Sequence, residues 1–127
     1  MSVPFDPQRG LVVVRAELWS PSGSAVLRLA LDTGATSTVV NVAMLVALGY
    51  DPGLAPDRIQ ITTGSGVEFA PRVPLQKLAA LGLDRTAFSV LAHTLPPSAG
   101  VDGLLGLDFF RGQVLTIDFR SGHTGVA

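Results

Sequence analysis

The chain has 127 residues, enough for one domain with its own core, and we expect residues 1–127 to form a single domain. Its net charge is -1, only 15% of its residues are charged, and Lys and Arg do not cluster, so we expect neither nucleic acid nor a membrane surface as a partner. It contains no cysteine, which excludes disulfides, cysteine-based zinc sites and thiol catalysis.

Apolar residues make up 47% of the chain, which favours a surface buried in an oligomer, although a well-packed β domain would also account for it. The longest apolar runs, residues 11–14 and 42–48, are too short to span a membrane, and the first residues lack the features of a signal peptide. We therefore expect a soluble, cytoplasmic protein or the soluble domain of a longer, anchored one.

The first half of the chain predicts a hairpin, a loop and a short helix. Residues 11–19 and 25–31 alternate in hydrophobicity and flank a turn at residues 20–23, which is typical of two paired strands. A short strand is predicted at residues 38–40. Asn41 is then expected to cap a helix over residues 42–48, which Gly49 would end.

The second half predicts further strands, so the fold class is all-β with one or two short helices. Residues 58–63 and 67–75 flank Gly64, Ser65 and Gly66 as a hairpin with a glycine-rich tip. Pro71 and Pro74 predict that its return strand lies at a sheet edge or is irregular. Strands over residues 86–93 and 114–120 and a short helix over residues 107–111 complete the pattern.

Asp32 stands at the end of an apolar strand, in the sequence Asp32-Thr33-Gly34-Ala35. A carboxylate there adds nothing to packing and costs several kcal/mol (about 2–7) if it is desolvated without a partner. A turn or capping role would explain it without function. Later in the chain, Leu104-Leu105-Gly106 precedes the predicted late helix.

The Asp-Thr-Gly loop, the glycine-tipped hairpin and the Leu-Leu-Gly motif, in this order, resemble the retropepsin-like aspartic proteases. These are single-domain relatives of pepsin that act as homodimers, and the resemblance covers nearly the whole chain. It implies a closed, barrel-like β fold. It also implies that Asp32 is catalytic, that Thr33, Gly34 and Ala35 support the active-site loop, and that residues 63–67 (Thr63, Gly64, Ser65, Gly66, Val67) form a flap over the substrate.

The chemistry of the family needs two carboxylates that share one proton, because one must activate water while the other protonates the carbonyl oxygen. Asp32 is the one acid in the sequence that is followed by Thr-Gly or Ser-Gly. The second carboxylate is therefore expected from Asp32 of another copy, with the site on a two-fold axis. The expected partners are a second copy of the chain and a peptide in extended conformation.

Ala35 stands where pepsin-like enzymes usually have Ser or Thr, whose hydroxyl stabilises the ionised carboxylate. Its presence predicts activity toward about pH 5–6, less acidic than for pepsin. The retroviral members also have an acid soon after this position and an Arg in the late helix. This chain has Thr36, Ser37 and Leu107 there, so that ion pair is missing, and the late motif is closer to bacterial and other non-viral members.

Ala35, Val67 and Leu104 are the candidate residues of the substrate pockets. No cofactor is expected, and no metal, because His93 and His123 have no third ligand nearby in the sequence. The alternative to a protease is a catalytically inactive module that kept the fold for dimerisation or peptide binding.

Overall fold

The alternating residues of the sequence form the inner face of a β-barrel. The computed structural model describes residues 2–63 and 66–127. Its strands are β1 (Ser2–Pro4), β2 (Val13–Ser20), β3 (Gly23–Leu31), β4 (Val39–Val40), β5 (Asp57–Thr63), β6 (Gly66–Ala80), β7 (Leu83–Ala92), β8 (Gly103–Leu105), β9 (Leu115–Asp118) and β10 (His123–Val126). The helices are α1 (Val42–Ala47) and three short 3-10 helices, Pro52–Leu54, Pro97–Ala99 and Leu107–Phe110. Within the described residues, no helix is long and apolar enough to cross a membrane.

The first predicted hairpin is present, with β2 and β3 paired antiparallel up to Ser20 opposite Gly23. Val14, Ala16 and Leu18 of β2 are buried, as their alternation predicts. On β3, Leu27 and Leu29 are fully buried as well. One face of the hairpin therefore forms part of the core.

The described strands close into a six-stranded barrel in the order β2-β3-β8-β4-β7-β6, because β6 pairs again with β2. The pairs β3–β8 and β4–β7 are parallel and the others are antiparallel. Leu45 of α1 and Phe109 of the late 3-10 helix are fully buried in the core of the barrel. The all-β, closed-barrel prediction is confirmed.

Strand β6 is longer than predicted and continues through both prolines. Pro71 pairs with Arg58 of β5, and Pro74 pairs with Ser89 of β7. Among the described strands, β6 is paired on one side at each proline and on both sides at Lys77 to Ala80, where β2 and β7 flank it. The predicted edge position of the return strand, residues 67–75, therefore holds at both prolines, where one side of the strand is free and the missing N–H is not used. The stretch that β2 and β7 flank begins at Lys77, beyond the predicted range.

Two terminal strands were missed in the sequence. β1 and β10 are short and contain Pro4 and Gly125, which are poor strand residues, yet they form a three-stranded sheet with β9. The turn between β9 and β10 is closed by Asp118, which accepts the backbone N–H groups of Arg120 and Ser121. The pKa of Asp118 is lowered, mainly because of hydrogen bonds from Ser121 and to a smaller extent because of the one from Arg120.

Asn41 occupies the N-cap position of α1, but its side chain does not cap the helix. Its side-chain oxygen accepts the backbone N–H of Leu95 at 3.0 Å, so Asn41 holds the loop after β7 instead. That detail of the prediction was wrong. Gly49 ends the helical segment as predicted, with a φ of +87° that glycine adopts without strain.

Candidate active site

The loop that carries Asp32 begins where β3 leaves the barrel. β3 runs parallel to β8, with Leu31 opposite Leu105, and the backbone N–H of Asp32 donates to the carbonyl of Leu105 at 2.9 Å. The predicted Leu-Leu-Gly motif is therefore directly beside the active-site loop. This pairing fixes the point at which the chain leaves the strand and turns, so that the Asp32 side chain is no longer part of the barrel.

The Asp32 carboxylate is partly exposed and is oriented by its own loop. Its Oδ1 accepts the backbone N–H of Gly34 at 2.8 Å, and its carbonyl accepts the N–H of Ala35 at 3.2 Å. A Cβ at Gly34 would lie 3.2 Å from Oδ1, a tight contact, so glycine suits this position. Thr33 is exposed next to the carboxylate.

Thr38 and Asp108 join the Asp32 loop to the late 3-10 helix. Thr38 is 0% exposed, and its hydroxyl donates to Oδ1 of Asp108 at 2.7 Å and accepts the N–H of Gly106 at 3.1 Å. The backbone N–H of Thr38 also donates to the Asp108 carboxylate. Leu107 adds a further bond, from its N–H to the carbonyl of Ala35 at 2.9 Å. The loop is thus held by contacts between residues about 70 positions apart.

Thr38→Val is expected to lower the free energy of unfolding by about 2 kcal/mol. The change keeps the shape of the side chain but removes a hydrogen bond to a carboxylate and leaves the buried Gly106 N–H without its acceptor. Urea unfolding followed by circular dichroism measures it. Thr86→Val, at an exposed position of β7, is the matched control, and an equal effect of both variants would contradict the role given to Thr38.

A cleft of about 1270 Å³ opens between the Asp32 loop and the β5–β6 hairpin. Asp32, Gly34, Ala35 and Leu104 line it together. Its other apolar lining residues are Val39, Ile59, Ile61, Leu91, Leu95, Pro96 and Pro97. Its other polar ones are Thr36, Ser37, Gln60, Thr62, Glu68, His93 and Thr94. A mainly apolar cleft with an accessible carboxylate is suited to an apolar ligand that presents a reactive polar group.

The hairpin predicted as a flap is formed by β5 and β6, which pair up to Thr63 opposite Gly66. Gly64 and Ser65 lie outside the described residues. Along β6, Glu68 lines the cleft, whereas its neighbours Val67 and Phe69 are 56% and 63% exposed and are not among the described lining residues. Since successive side chains of a strand point to opposite faces, Glu68 is the cleft-facing residue and Val67 lies on the outer face.

The structure brings together part of the predicted site. Asp32, Gly34, Ala35 and Leu104 line one cleft, whereas Thr33 and Val67 are not among its described lining residues. Sequence reasoning missed Thr38, Asp108, Glu68 and His93 as residues of the site. Alternation places Glu68 and Ala70 on one face of β6 but does not show which face lines the cleft. Thr38 left no signal, because its partners are distant in sequence. No cluster of three or more potential metal ligands occurs in the described part of the chain.

A protein-family model described as "gag-polyprotein putative aspartyl protease" matches residues 22–112, which include the Asp32 loop, the hairpin and the late motif. The match covers more than two thirds of the chain. No curated protein matches the chain by sequence.

Solved structures that share the fold include the following three. A retropepsin-like aspartic protease from Rickettsia conorii superposes with a TM-score of 0.71 at 16% identity, covering 100% of this chain and 97% of that one. The EIAV protease in complex with the inhibitor HBY-793 gives 0.60 at 19% identity, covering 86% and 92%. The retroviral protease-like domain of Ddi1 from Leishmania major gives 0.58 at 15% identity, covering 94% and 95%.

Proposed function

The chain belongs to the retropepsin-like aspartic protease family, and we propose that it is an aspartic endopeptidase whose active site is shared by two copies. The observation that supports this most directly is the position of Asp32. Its carboxylate leaves a buried strand, is oriented by the Gly34 N–H, and opens onto the large cleft beneath the β5–β6 hairpin. A single domain of this kind supplies half of the catalytic pair.

In the proposed mechanism, two Asp32 carboxyl groups hold one proton between them. The ionised one removes a proton from a water molecule as the water oxygen bonds to the carbon of the scissile peptide. The protonated one donates its proton to the carbonyl oxygen, which gives a tetrahedral diol. The carboxyl group that took the proton from water then donates it to the nitrogen as the C–N bond breaks, and the other carboxylate takes a proton from one hydroxyl of the diol, which becomes the new carboxylic acid. The pair thus returns to its starting state with one proton.

A second copy is required because the chain has one Asp-Thr-Gly sequence. A two-fold axis beside the loop would place the two Asp32 side chains together. Thr33 is exposed next to Asp32, and its hydroxyl is proposed to bond across the dimer and so to join the two loops. Residues 63–67 would act as the flap that covers the substrate and excludes water.

The substrate is proposed to bind as an extended strand between the hairpin and the floor of the cleft. Main-chain hydrogen bonds give affinity in this mode, and pockets for alternate side chains give selectivity. Ala35 and Leu104 are proposed as pocket residues because both line the cleft, together with Ile59, Ile61 and Leu91. This apolar lining favours apolar residues next to the scissile bond.

The alternative is an inactive module that binds peptides or dimerises through the same fold. The match to the Leishmania major domain, which is described only as protease-like, is compatible with this alternative, because proteins of one fold can differ in whether they are active. The two readings differ in whether cleavage depends on Asp32 and on dimer formation.

The test of the shared site is the dependence of activity on protein concentration. Cleavage of denatured casein is measured over about a thousandfold dilution of the protein, with sedimentation velocity on the same samples. Specific activity is expected to fall in proportion to the dimer fraction as the protein dissociates. Constant specific activity in samples shown to be monomeric would contradict a site built by two copies. No cleavage at any concentration at which the dimer is present would favour the inactive module.

A further inference from the structure

The ionisable groups among the described residues of the cleft are two carboxylates and one imidazole. Among the described residues that line it, the ionisable side chains are Asp32, Glu68 and His93, and neither Lys nor Arg is present. Asp32 is used by the proposed chemistry. Glu68 is not, and because its side chain is 49% exposed, a ligand that enters the cleft can reach its carboxylate.

The pairing of the hairpin fixes where Glu68 points. It lies opposite Ile61 of β5, and the next pair on the same face is Ala70 opposite Ile59. Ile59 and Ile61 both line the cleft, and so does Glu68. Ala70 is buried, which identifies this face as the inner one, so the carboxylate lies in an otherwise apolar row on the face of the hairpin under which an extended peptide would lie.

His93 is the near neighbour of this carboxylate. Its Nδ1 lies 3.8 Å from Oε2 of Glu68, and its backbone N–H donates to the carbonyl of Val40 at 3.1 Å, which fixes the start of the loop after β7. A separation of 3.8 Å is longer than a hydrogen bond, and both side chains are partly exposed, at 49% for Glu68 and 29% for His93. Such a pair is weak, and the carboxylate keeps its capacity to accept hydrogen bonds.

We propose that Glu68 is a specificity-determining residue, which binds a Lys or Arg side chain of the peptide that occupies the cleft. An ammonium or guanidinium group can approach closer than His93 does, and guanidinium can donate two parallel hydrogen bonds to one carboxylate. The inference rests on the proposed function in so far as the ligand is an extended peptide. In a symmetric dimer two copies of Glu68 face the cleft, so a basic residue is favoured on either side of the central apolar pair.

The test uses equilibrium binding, which does not depend on catalysis. The Asp32→Asn protein is titrated with peptides of ten residues that have two apolar residues at the centre, and one flanking position at a time holds Arg, citrulline, Gln or Glu. Citrulline has the shape of Arg without its charge. At one flanking position or more, the Arg peptide is expected to bind about tenfold more tightly than the citrulline peptide, as for a charge-assisted hydrogen bond. The Glu peptide is expected to bind more weakly than both.

Adding Glu68→Gln is expected to bring the Arg-to-citrulline ratio close to one, and Glu68→Arg is expected to reverse the preference toward the Glu peptide. Glu17→Gln is the matched control, because Glu17 lies on β2 and is not among the described lining residues of the cleft. It should leave the ratio at its starting value.

A ratio that Glu68→Gln does not change would overturn the inference, even if all peptides bind more weakly, because a uniform loss indicates a structural role. So would the absence of binding by any peptide. The proposed function is judged separately by cleavage of casein. If casein is cleaved but Arg peptides are not preferred, the inference about Glu68 is wrong and the proposed function stands. If Arg peptides are preferred but casein is not cleaved, the role of Glu68 is supported and the proposed enzymatic function is wrong.

Discussion

Asp32→Asn is expected to lower kcat/KM for peptide cleavage at least about a thousandfold, because it removes both the base and the acid of the proposed dyad. The substitution is nearly isosteric. An amide oxygen can still accept the Gly34 N–H, so the loop should keep its shape and the free energy of unfolding should change by less than about 1 kcal/mol. Initial rates on a peptide with an apolar centre, together with urea unfolding, measure the two effects separately.

Asp84→Asn is the matched control. Asp84 is exposed on β7, where it is 3.9 Å from the Lys77 ammonium, and it is not among the described residues of the cleft. The same change of charge there should leave kcat/KM within about twofold of the unaltered protein, as is usual for a surface site. If Asp32→Asn retained the full rate, Asp32 would not be the catalytic acid.

Mixed dimers test whether both copies of Asp32 are needed. When unaltered and Asp32→Asn chains are refolded together in equal amounts, about one quarter of the dimers contain two Asp32 residues, if association is random. Activity should therefore fall to about one quarter of that of the same total amount of unaltered protein. A fall to only about three quarters would show that one Asp32 in each dimer is sufficient, and a fall to about one half would show that each copy acts independently of its partner.

The sequence predicted the parts of the site that are formed locally. Three such features are present: the strand before Asp32, the turn at Gly34 and the end of helix α1 at Gly49. Each depends on neighbouring residues, through alternation or through the conformational freedom of glycine. The family resemblance supplied the barrel, which local patterns indicate only as an all-β fold. These are the features for which local preference and tertiary structure agree.

The remaining features depend on contacts between residues that are distant in sequence. Asp108 reaches Thr38 across 70 positions, and nothing near either residue indicates that pairing. On β6, the apolar residues Val67 and Phe69 suggest the inner face, yet Glu68 lines the cleft. Alternation fixes which residues share a face but not which face is inside, and tertiary pairing decides that.

Gly106→Ala is expected to lower kcat/KM about a hundredfold and the free energy of unfolding by about 3 kcal/mol, the cost of overpacking a tight site. A Cβ at this position would lie 2.7 Å and 2.8 Å from the carbonyl carbon and oxygen of Ser37, and 2.9 Å from the carbonyl oxygen of Ala35. All three atoms are backbone atoms of the Asp32 loop. No change of rotamer can relieve the contact, so the loop itself must move.

The loss of activity should exceed what the loss of stability explains, which distinguishes displacement of the loop from simple unfolding. Under conditions in which the variant is fully folded by circular dichroism, the remaining loss in kcat reports the geometry of the two Asp32 groups, because a shift of about 1 Å can cost about a hundredfold in rate. Gly10→Ala is the matched control, since a Cβ at Gly10 meets nothing within 4 Å. If Gly106→Ala matched Gly10→Ala in rate, the late Leu-Leu-Gly segment would not position Asp32, and its close contact with the loop would serve packing alone.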